Sequence, residues 1–226
     1  MPGVGAGLGA LLLAAAPQPA AAPLRLADVA RPGRLAPAGP LALAAAPDPR
    51  APLRAWVVAE LTERVPALGE TGAERLARTI LEEAAATGLD PVLVLAIIEV
   101  ESGWDPGAVS NRGALGLMQL RPSTLASEAR SGGFATDDPH EPVMNVRAGI
   151  RYFARMVRHF GDADLALVAY NSGPTRLASY VQAVGEVPDH LLAYARRVRR
   201  EEKVLRRAIG PAAQPVLASA TGDGRP

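Results

Sequence analysis

The segment from Asp90 to Gly103 places the strongest constraint on the fold of this chain. Its centre, Val92 to Ile98, carries an apolar side chain at every position. Asp90 supplies an N-cap acceptor and Pro91 suits the first helical position, so the segment is predicted to be a helix. A helix that is apolar on every side has to be surrounded by protein. We therefore expect this helix at the centre of a helical domain.

The other periodic segments of the chain are also predicted to be helical, because their apolar side chains recur at helical spacing. They are Leu53 to Val65, Ala73 to Thr87, Ser123 to Ala129, Asn145 to Phe160, Asp162 to Tyr170, Pro174 to Val184 and Asp189 to Ile209. Thr71 and Glu74 have the spacing of a capping box, and Asn145 is predicted to cap its helix. Gly88 and Gly161 are predicted helix stops. Since no alternating strand pattern occurs, the predicted class is all-α.

Proline and alanine dominate the chain before the first predicted helix. Residues 1–52 hold ten of the 21 prolines, which break helices and lack a backbone donor. Val4 to Ala16 is an apolar run of signal-peptide length, although no basic residue precedes it. We predict a signal peptide at 1–22, an unpacked Pro/Ala-rich linker at 23–52, a single domain at 53–209 and a flexible tail at 210–226. A flexible N-terminal tail, or a misplaced start codon, is the alternative to a signal.

The composition excludes several kinds of functional site. The chain has no cysteine, which rules out disulfides, thiolate metal sites and cysteine nucleophiles. Its formal net charge of +1 gives no general electrostatic reason to bind nucleic acid. The histidines, His140, His159 and His190, lack metal-ligand spacing, and no Gly-x-Ser-x-Gly motif is present. We therefore predict no metal, no cofactor and no nucleic-acid partner.

The last predicted helix is rich in cations. Against Glu201 and Glu202 it carries seven basic residues: Arg196, Arg197, Arg199, Arg200, Lys203, Arg206 and Arg207. The simpler interpretation is a solvated face whose cations suit a helix C-terminus. The alternative is peripheral attraction to an anionic envelope surface, either cell-wall polymer or membrane.

Two acids, Glu99 and Glu101, close the central helix. Residues two apart point about 200° from one another, so the two cannot form a pair of carboxylates in one cleft. Glu101 follows Ile98 and Ile97 at spacings of three and four, which places it over apolar neighbours. Partial burial raises the pKa of a carboxyl, as a general acid requires near neutral pH. An ordinary solvated glutamate is the alternative; Glu99 is interpreted as a surface or capping acid.

A glycine-punctuated loop follows Glu101 directly. Gly113 and Gly116 permit backbone geometries closed to other residues. Ser110 and Gln119 offer neutral donors and acceptors suited to the hydroxyl and acetamido groups of a sugar. Taken alone, such a loop could equally be a simple turn.

Three blocks of sequence resemble the soluble lytic transglycosylase family, relatives of goose-type lysozyme that cut bacterial peptidoglycan. The first runs from Glu101-Ser102 through Ser110 to the Gly-Ala-x-Gly-Leu-Met-Gln-Leu-x-Pro stretch that ends at Pro122. The second comprises Asp138-Pro139 and residues 145–152, and the third is Ala169 to Pro174. The blocks occur in order across roughly residues 75–200, and the resemblance implies a lysozyme-like all-α fold.

The resemblance also implies roles for individual residues. Glu101 matches the catalytic acid of the family. Five further positions match residues that line the substrate cleft of the family: Ser110, Met118, Gln119, Tyr170 and Asn171. Met118 would form an apolar part of the cleft wall. Tyr170 and Asn171 would approach the acid from the far side of the cleft.

The implied activity is cleavage of the β-1,4 bond between N-acetylmuramic acid and N-acetylglucosamine in peptidoglycan, leaving a 1,6-anhydro end. Glu101 would act as both acid and base, and the partners would be glycan strands in the periplasm or extracellular cell-wall space. One alternative is hydrolysis, with Asp105, Asp137 or Asp138 holding a water. The other is a non-catalytic module that binds glycan or helps assemble an envelope machine.

Overall fold

The computed structural model describes residues 48–135 and 138–210. Within these ranges the chain forms eight α-helices, one short 3₁₀ helix and no extended strand, which confirms the predicted all-α class. The helices are α1 (Ala51–Arg64), α2 (Gly69–Thr87), α3 (Pro91–Ser102), α4 (Pro122–Gly132), α5 (Pro142–Phe160), α6 (Ala163–Ser172), α7 (Pro174–Val184) and α8 (Asp189–Ala208), with the 3₁₀ helix at Pro66–Leu68. The predicted signal peptide at 1–22, most of the predicted linker and nearly all of the predicted tail lie outside the described residues.

Helix α3 is the central helix of the described domain, as its sequence predicts. Every residue from Pro91 to Ile98 is buried, and α3 packs against α2 and α8. Its N-terminus is capped by Asp90, whose carboxylate accepts a hydrogen bond from the Val92 N–H at 2.8 Å. Its C-terminus stops at Gly103, which has the left-handed conformation that favours glycine. These two ends fix the position of Glu101 in the last turn of the helix.

Two predicted helix starts are wrong. Helix α2 already begins at Gly69, directly after the 3₁₀ helix, so Thr71 lies inside it and forms no capping box. Helix α5 begins at Pro142, where Glu141 is the N-cap and accepts from the Met144 N–H at 2.7 Å. Asn145 is therefore an internal residue of α5, and its side chain is free for another role. The predicted stops at Gly88 and Gly161 are confirmed, since both are left-handed C-caps.

The remaining helices enclose α3 through a continuous apolar core. Helix α2 packs on α1 and α5, while α6 packs on α5, α7 and α8. A smaller apolar cluster, formed by Leu120, Leu125 and Ala148, fastens the start of α4 to α5 beside the loop that follows α3. Over the described residues, no helix combines the length and apolar character needed to cross a membrane.

Candidate active site

A cleft of about 600 Å³ opens where the end of α3 meets the glycine-punctuated loop, α5 and α6. Five of the six residues predicted from the sequence line this cleft: Glu101, Ser110, Gln119, Tyr170 and Asn171. The structure thus brings together residues that lie up to 70 positions apart in the sequence. The sixth residue, Met118, lies behind the wall of the cleft.

Glu101 is largely buried in the wall of this cleft. One of its carboxylate oxygens, Oε1, accepts a hydrogen bond from the Tyr194 hydroxyl at 2.6 Å. Burial raises the pKa of Glu101 from 4.5 to about 7, although the hydrogen bond from Tyr194 and the charge of Arg197 both favour the ionised form. A carboxyl with a pKa near 7 can give a proton and take one back at neutral pH. The predicted rise in pKa therefore has its predicted cause, the loss of water around the carboxyl.

Tyr194 is a residue of this site that the sequence prediction missed. It lies on α8, 93 residues after Glu101, and is buried. Its spacing from Leu191 and Val198 places it on the apolar face of α8, where it looks like an ordinary core residue. A buried tyrosine hydroxyl needs a hydrogen-bond partner, but the sequence does not indicate which one.

Gln119 is held rigidly in the loop by its own amide. Its Nε2 donates to the backbone carbonyls of Ala108 at 3.1 Å and Gly116 at 2.9 Å. Both amide hydrogens are used, so Oε1 is left as the group that can accept from a ligand. The backbone of Gln119 is left-handed, with φ of 46°, which is uncommon outside glycine.

Ser110 has the opposite hydrogen-bonding character. Its Oγ accepts from the N–H groups of Ala114 at 3.0 Å and Arg112 at 3.3 Å, which closes the turn. Because the oxygen is occupied as an acceptor, its O–H remains available as a donor in the cleft. Ser110 and Gln119 therefore present one donor and one acceptor, neither of them charged.

Met118 is placed differently from the prediction. It is fully buried, and its side chain packs against Gly149 of α5, so it does not contact the cleft. The physical reason is that Gly149, which has no side chain, leaves room for the Met118 side chain in the core. Both backbone polar groups of Met118 are also bound by neighbouring helices. The Met118 N–H donates to Asn145 Oδ1 at 2.9 Å, and its carbonyl accepts from the Tyr170 hydroxyl at 2.7 Å.

Tyr170 supports the cleft through that same hydrogen bond. Its ring packs on Tyr152, with a centroid distance of 5.3 Å, and meets Phe153 edge-on at 6.0 Å. Burial, followed by the nearby charge of Glu101, raises the pKa of Tyr170 well above its ordinary value, so the hydroxyl stays protonated. Its hydrogen goes to the loop carbonyl of Met118 rather than to the acid.

Glu99 faces away from the cleft, as its spacing from Glu101 predicts. Its carboxylate accepts from the Trp104 indole N–H and from Arg64 Nη1, the latter at 3.0 Å. Trp104 is left-handed, with φ of 69°, and is almost fully buried directly after the helix stop at Gly103. Glu99 is thus a partly exposed structural acid that anchors the start of the loop.

The other acids considered for a catalytic role lie elsewhere. Asp105 and Asp138 each accept a backbone N–H two residues ahead, at 2.8 Å, as turn residues do. Neither lines the cleft, and Asp137 falls in the gap between the described ranges. Among the residues that the structure describes, Glu101 is the one carboxyl side chain in the cleft wall.

The chain belongs to the transglycosylase SLT domain family, whose model matches residues 78–192. This range contains Glu101 and the other predicted site residues, together with most of the core, and ends just before Tyr194. It confirms the family inferred from the three sequence blocks.

Two relatives illustrate how far the sequence similarity extends. A transglycosylase of Enterobacteria phage PRD1 is 33% identical over 103 residues, which is 46% of this chain and 37% of the phage protein. An endo-type membrane-bound lytic murein transglycosylase A of Klebsiella pneumoniae is 41% identical over 75 residues, which is 31% of this chain and 37% of that protein. The chain thus matches little more than a third of the length of these curated relatives.

Solved structures support the fold. The lytic transglycosylase Slt of Pseudomonas aeruginosa superposes with a TM-score of 0.54 at 23% identity, covering 70% of this chain and 31% of that one. The 70 kDa soluble lytic transglycosylase of Escherichia coli superposes with a TM-score of 0.56 at 21% identity, covering 76% and 32%. At these identities the similarity concerns the fold, which is the predicted lysozyme-like arrangement.

Proposed function

We propose that this protein is a peptidoglycan lytic transglycosylase with Glu101 as its single acid and base. It would cleave the β-1,4 bond between N-acetylmuramic acid and N-acetylglucosamine and leave a 1,6-anhydro end on the muramic acid. The observation that carries the proposal is a lone, largely buried carboxyl with a pKa of about 7 in the wall of a cleft of about 600 Å³. Family membership and the names of the relatives point to the same chemistry.

The proposed reaction needs no water and no second carboxylate. Protonated Glu101 donates its proton to the bridging oxygen as the bond from that oxygen to the anomeric carbon breaks. The acetamido oxygen of the same muramic acid stabilises the electron-poor carbon. The 6-hydroxyl of that sugar then attacks the anomeric carbon and gives its proton to the ionised Glu101, which restores the acid. General acid–base catalysis of this kind contributes about 10²–10⁴-fold.

Lysozyme-type hydrolysis is the nearest rival, and the arrangement of acids favours the transglycosylase. Hydrolases of this type use two carboxylates, separated by about 5–5.5 Å or about 6.5–9.5 Å according to mechanism. In the described part of the cleft, Glu101 has no carboxylate partner, and Asp105 and Asp138 are engaged in turns. Intramolecular attack by the 6-hydroxyl avoids the recruitment of a positioned water.

The function is tested by digesting purified peptidoglycan with the protein and identifying the products by mass spectrometry. Muropeptides with 1,6-anhydro ends are expected. Reducing ends would establish a hydrolase, and unchanged polymer would establish a glycan-binding module. Glu101→Gln should lose essentially all turnover, because an amide cannot donate the proton. Equal activity in that variant would refute the assignment of the acid.

The same variant should be folded, and at pH 8 it should be more stable than the wild type. The pKa of Glu101 is raised on folding from 4.5 to about 7, so ionisation of Glu101 opposes folding. Its protonated form fits the folded state best, and the destabilisation grows as pH rises from about 4.5 to 7 and then levels off. Measured by urea unfolding, the free energy of unfolding of Glu101→Gln should exceed that of the wild type by up to roughly 3 kcal/mol above pH 7. Below pH 4.5 the two free energies should differ little. A gap of the opposite sign would contradict the burial of the carboxyl.

The substrate defines where the protein would act. Peptidoglycan strands lie in the periplasm or the extracellular cell-wall space, so we propose export to that space, with these strands as the partner. Fractionation of cells into periplasm, envelope and cytoplasm tests the location. Recovery in the cytoplasm alone would contradict it.

A further inference from the structure

Two arginines line the cleft in addition to the predicted site residues. Arg112 lies in the glycine-punctuated loop, and Arg121 directly precedes α4. Arg121 Nη2 donates to the Arg112 carbonyl at 3.4 Å, which keeps the two residues on the same wall. The structure therefore concentrates positive charge at a place where the sequence predicts only neutral sugar contacts.

The two cleft arginines differ from the cations that stabilise the fold. Arg151, Arg155 and Arg206 each pair with a carboxylate from a distant part of the chain. Arg112 and Arg121 form no ion pair within residues 48–135 and 138–210. Both are exposed, so their guanidinium groups can reach a bound ligand without first breaking a salt bridge.

The rest of the cleft does not neutralise these charges. Of the described residues in its wall, only Glu101 is acidic, and with a pKa of about 7 it is uncharged for much of the time near neutral pH. Thr124, in the first turn of α4, also lines the cleft, so the positive end of that helix lies on the same side. The cleft thus combines a positively charged wall with a weakly charged acid.

We propose that Arg112 and Arg121 form a carboxylate-binding subsite that selects anionic glycan over neutral glycan. This inference rests on the proposed function and extends it to specificity. Arginine presents parallel N–H donors in a planar fork that fits a carboxylate, and such charge-assisted bonds are among the strong ones. In peptidoglycan the carboxylate is either the lactyl group of a muramic acid that carries no stem peptide, or a carboxyl group of the stem peptide itself. A chain of N-acetylglucosamine alone carries none.

Binding by the full chain carrying Glu101→Gln tests this subsite, because that background should bind glycan without cutting it. Four ligands are compared by calorimetry: N-acetylglucosamine oligomers, peptide-free glycan strands, the same strands with their carboxylates converted to methylamides, and strands that keep their stem peptides. Arg112→Gln together with Arg121→Gln should weaken binding to the carboxylate-bearing strands by about tenfold or more. Binding to the oligomers and the amidated strands should stay within twofold.

The matched control is Arg130→Gln, which removes an exposed arginine from the last turn of α4, outside the cleft. It should leave binding of all four ligands unchanged. Raising the salt from about 0.05 to 0.5 M should weaken binding of carboxylate-bearing strands by the parent protein and should affect the double variant much less. A larger loss with peptide-free strands would identify the lactyl carboxylate, whereas a larger loss with peptide-bearing strands would identify the stem.

Equal loss for neutral and anionic ligands, or no loss for either, would overturn the subsite. These outcomes leave the proposed function standing as long as the wild type still yields anhydro products. If the Glu101→Gln protein binds none of the glycans and the wild type leaves peptidoglycan unchanged, both proposals fail together.

Discussion

At the scale of single residues, the chemistry of the site depends on how two buried tyrosine hydroxyls are used. Tyr194 donates to Glu101, whereas Tyr170 donates to the backbone carbonyl of Met118. Burial raises the pKa of both phenols well above the ordinary value, so both remain donors across the physiological range. Tyr194 therefore limits how far burial can raise the pKa of Glu101, and Tyr170 fixes the loop.

Tyr194→Phe should move the pH dependence of activity. A donor to a carboxylate favours the ionised form, so its removal should raise the pKa of Glu101 above 7, by about one unit. Because the proposed reaction begins with protonated Glu101, the alkaline limb of kcat/KM should shift to higher pH by a similar amount. The measurement is the rate of peptidoglycan solubilisation between pH 5 and about pH 9.

Tyr170→Phe is the matched control for that substitution. It removes a buried hydroxyl of the same cleft that does not bind Glu101, so activity should fall while the alkaline limb stays where it is. The role given to Tyr194 would be contradicted if the alkaline limb of the pH profile moved equally in both variants. A move of that limb to lower pH in Tyr194→Phe would contradict it as well.

At the scale of secondary-structure elements, the Asn145 side chain of helix α5 holds the glycine-punctuated loop that follows α3. Asn145 accepts from the Met118 N–H and donates to the carbonyls of Leu115 and Pro139, at 2.9 and 3.2 Å. Its side chain lies against Gly116, where a Cβ would come within 2.5 Å of Asn145 Nδ2. The loop can therefore approach α5 only because residue 116 has no side chain.

Gly116→Ala and Gly113→Ala should separate close packing from backbone strain. Both glycines are left-handed, so alanine should cost about 1–2 kcal/mol of unfolding free energy at either position. Only the alanine at position 116 would also collide with Asn145, since position 113 has open space around it. We expect an additional loss of about 1–3 kcal/mol in Gly116→Ala, measured by urea unfolding, together with reduced activity. Equal stability of the two variants would show that the contact with Asn145 is unimportant.

Helix α8 shows how a cation-rich element is used. Three of its cations pair with acids of this chain: Arg196 with Asp189, Arg199 with Asp164 and Glu202, and Arg206 with Asp90 and Glu202. Arg197 donates to the Val100 carbonyl and lies over the Tyr194 ring. Four of the seven cations therefore contact groups of the described part of the chain. Attraction of the remaining cations to an anionic surface stays a prediction.

At the scale of the whole molecule, ion pairs fasten helices that are distant in sequence. Glu83 of α2 is buried, and its carboxylate accepts two hydrogen bonds from the Arg151 guanidinium of α5 in a bidentate arrangement, at 2.7 and 3.0 Å. Arg147 of α5 lies 3.0 Å from the same carboxylate. This contact joins α2 to α5, the helix that holds the glycine-punctuated loop, so it links the stability of the core to the geometry of the cleft.

Glu83→Gln should destabilise the fold by about 1–3 kcal/mol, because two partly buried arginines would lose their carboxylate. Asp189→Asn removes an ion pair whose two side chains are 87% and 59% exposed, and it should cost less than about 1 kcal/mol. Urea unfolding of the two variants measures the difference. Equal losses would mean that the contact between Glu83 and α5 is screened as fully as a surface pair.

The sequence alone determined those features that depend on neighbours along the chain. The apolar run of α3 required a central helix, and Asp90, Gly88 and Gly161 set helix ends through local backbone chemistry. The spacing of two residues on a helix was enough to predict that Glu99 and Glu101 point in different directions. The predicted start of α5 is wrong, although asparagine is a residue type that commonly caps helices. The helix begins instead at Pro142, three residues before Asn145, with Glu141 as its N-cap.

Tertiary structure decided which distant side chains meet. The donation from Tyr194 to Glu101 joins residues 93 positions apart, and the hydrogen bond from Met118 to Asn145 spans 27. Periodicity shows which face of a helix is buried, but the partner across that face depends on how the helices pack. For that reason Met118, next to Gln119 in sequence, belongs to the core, while Arg121, two residues beyond Gln119, lines the cleft.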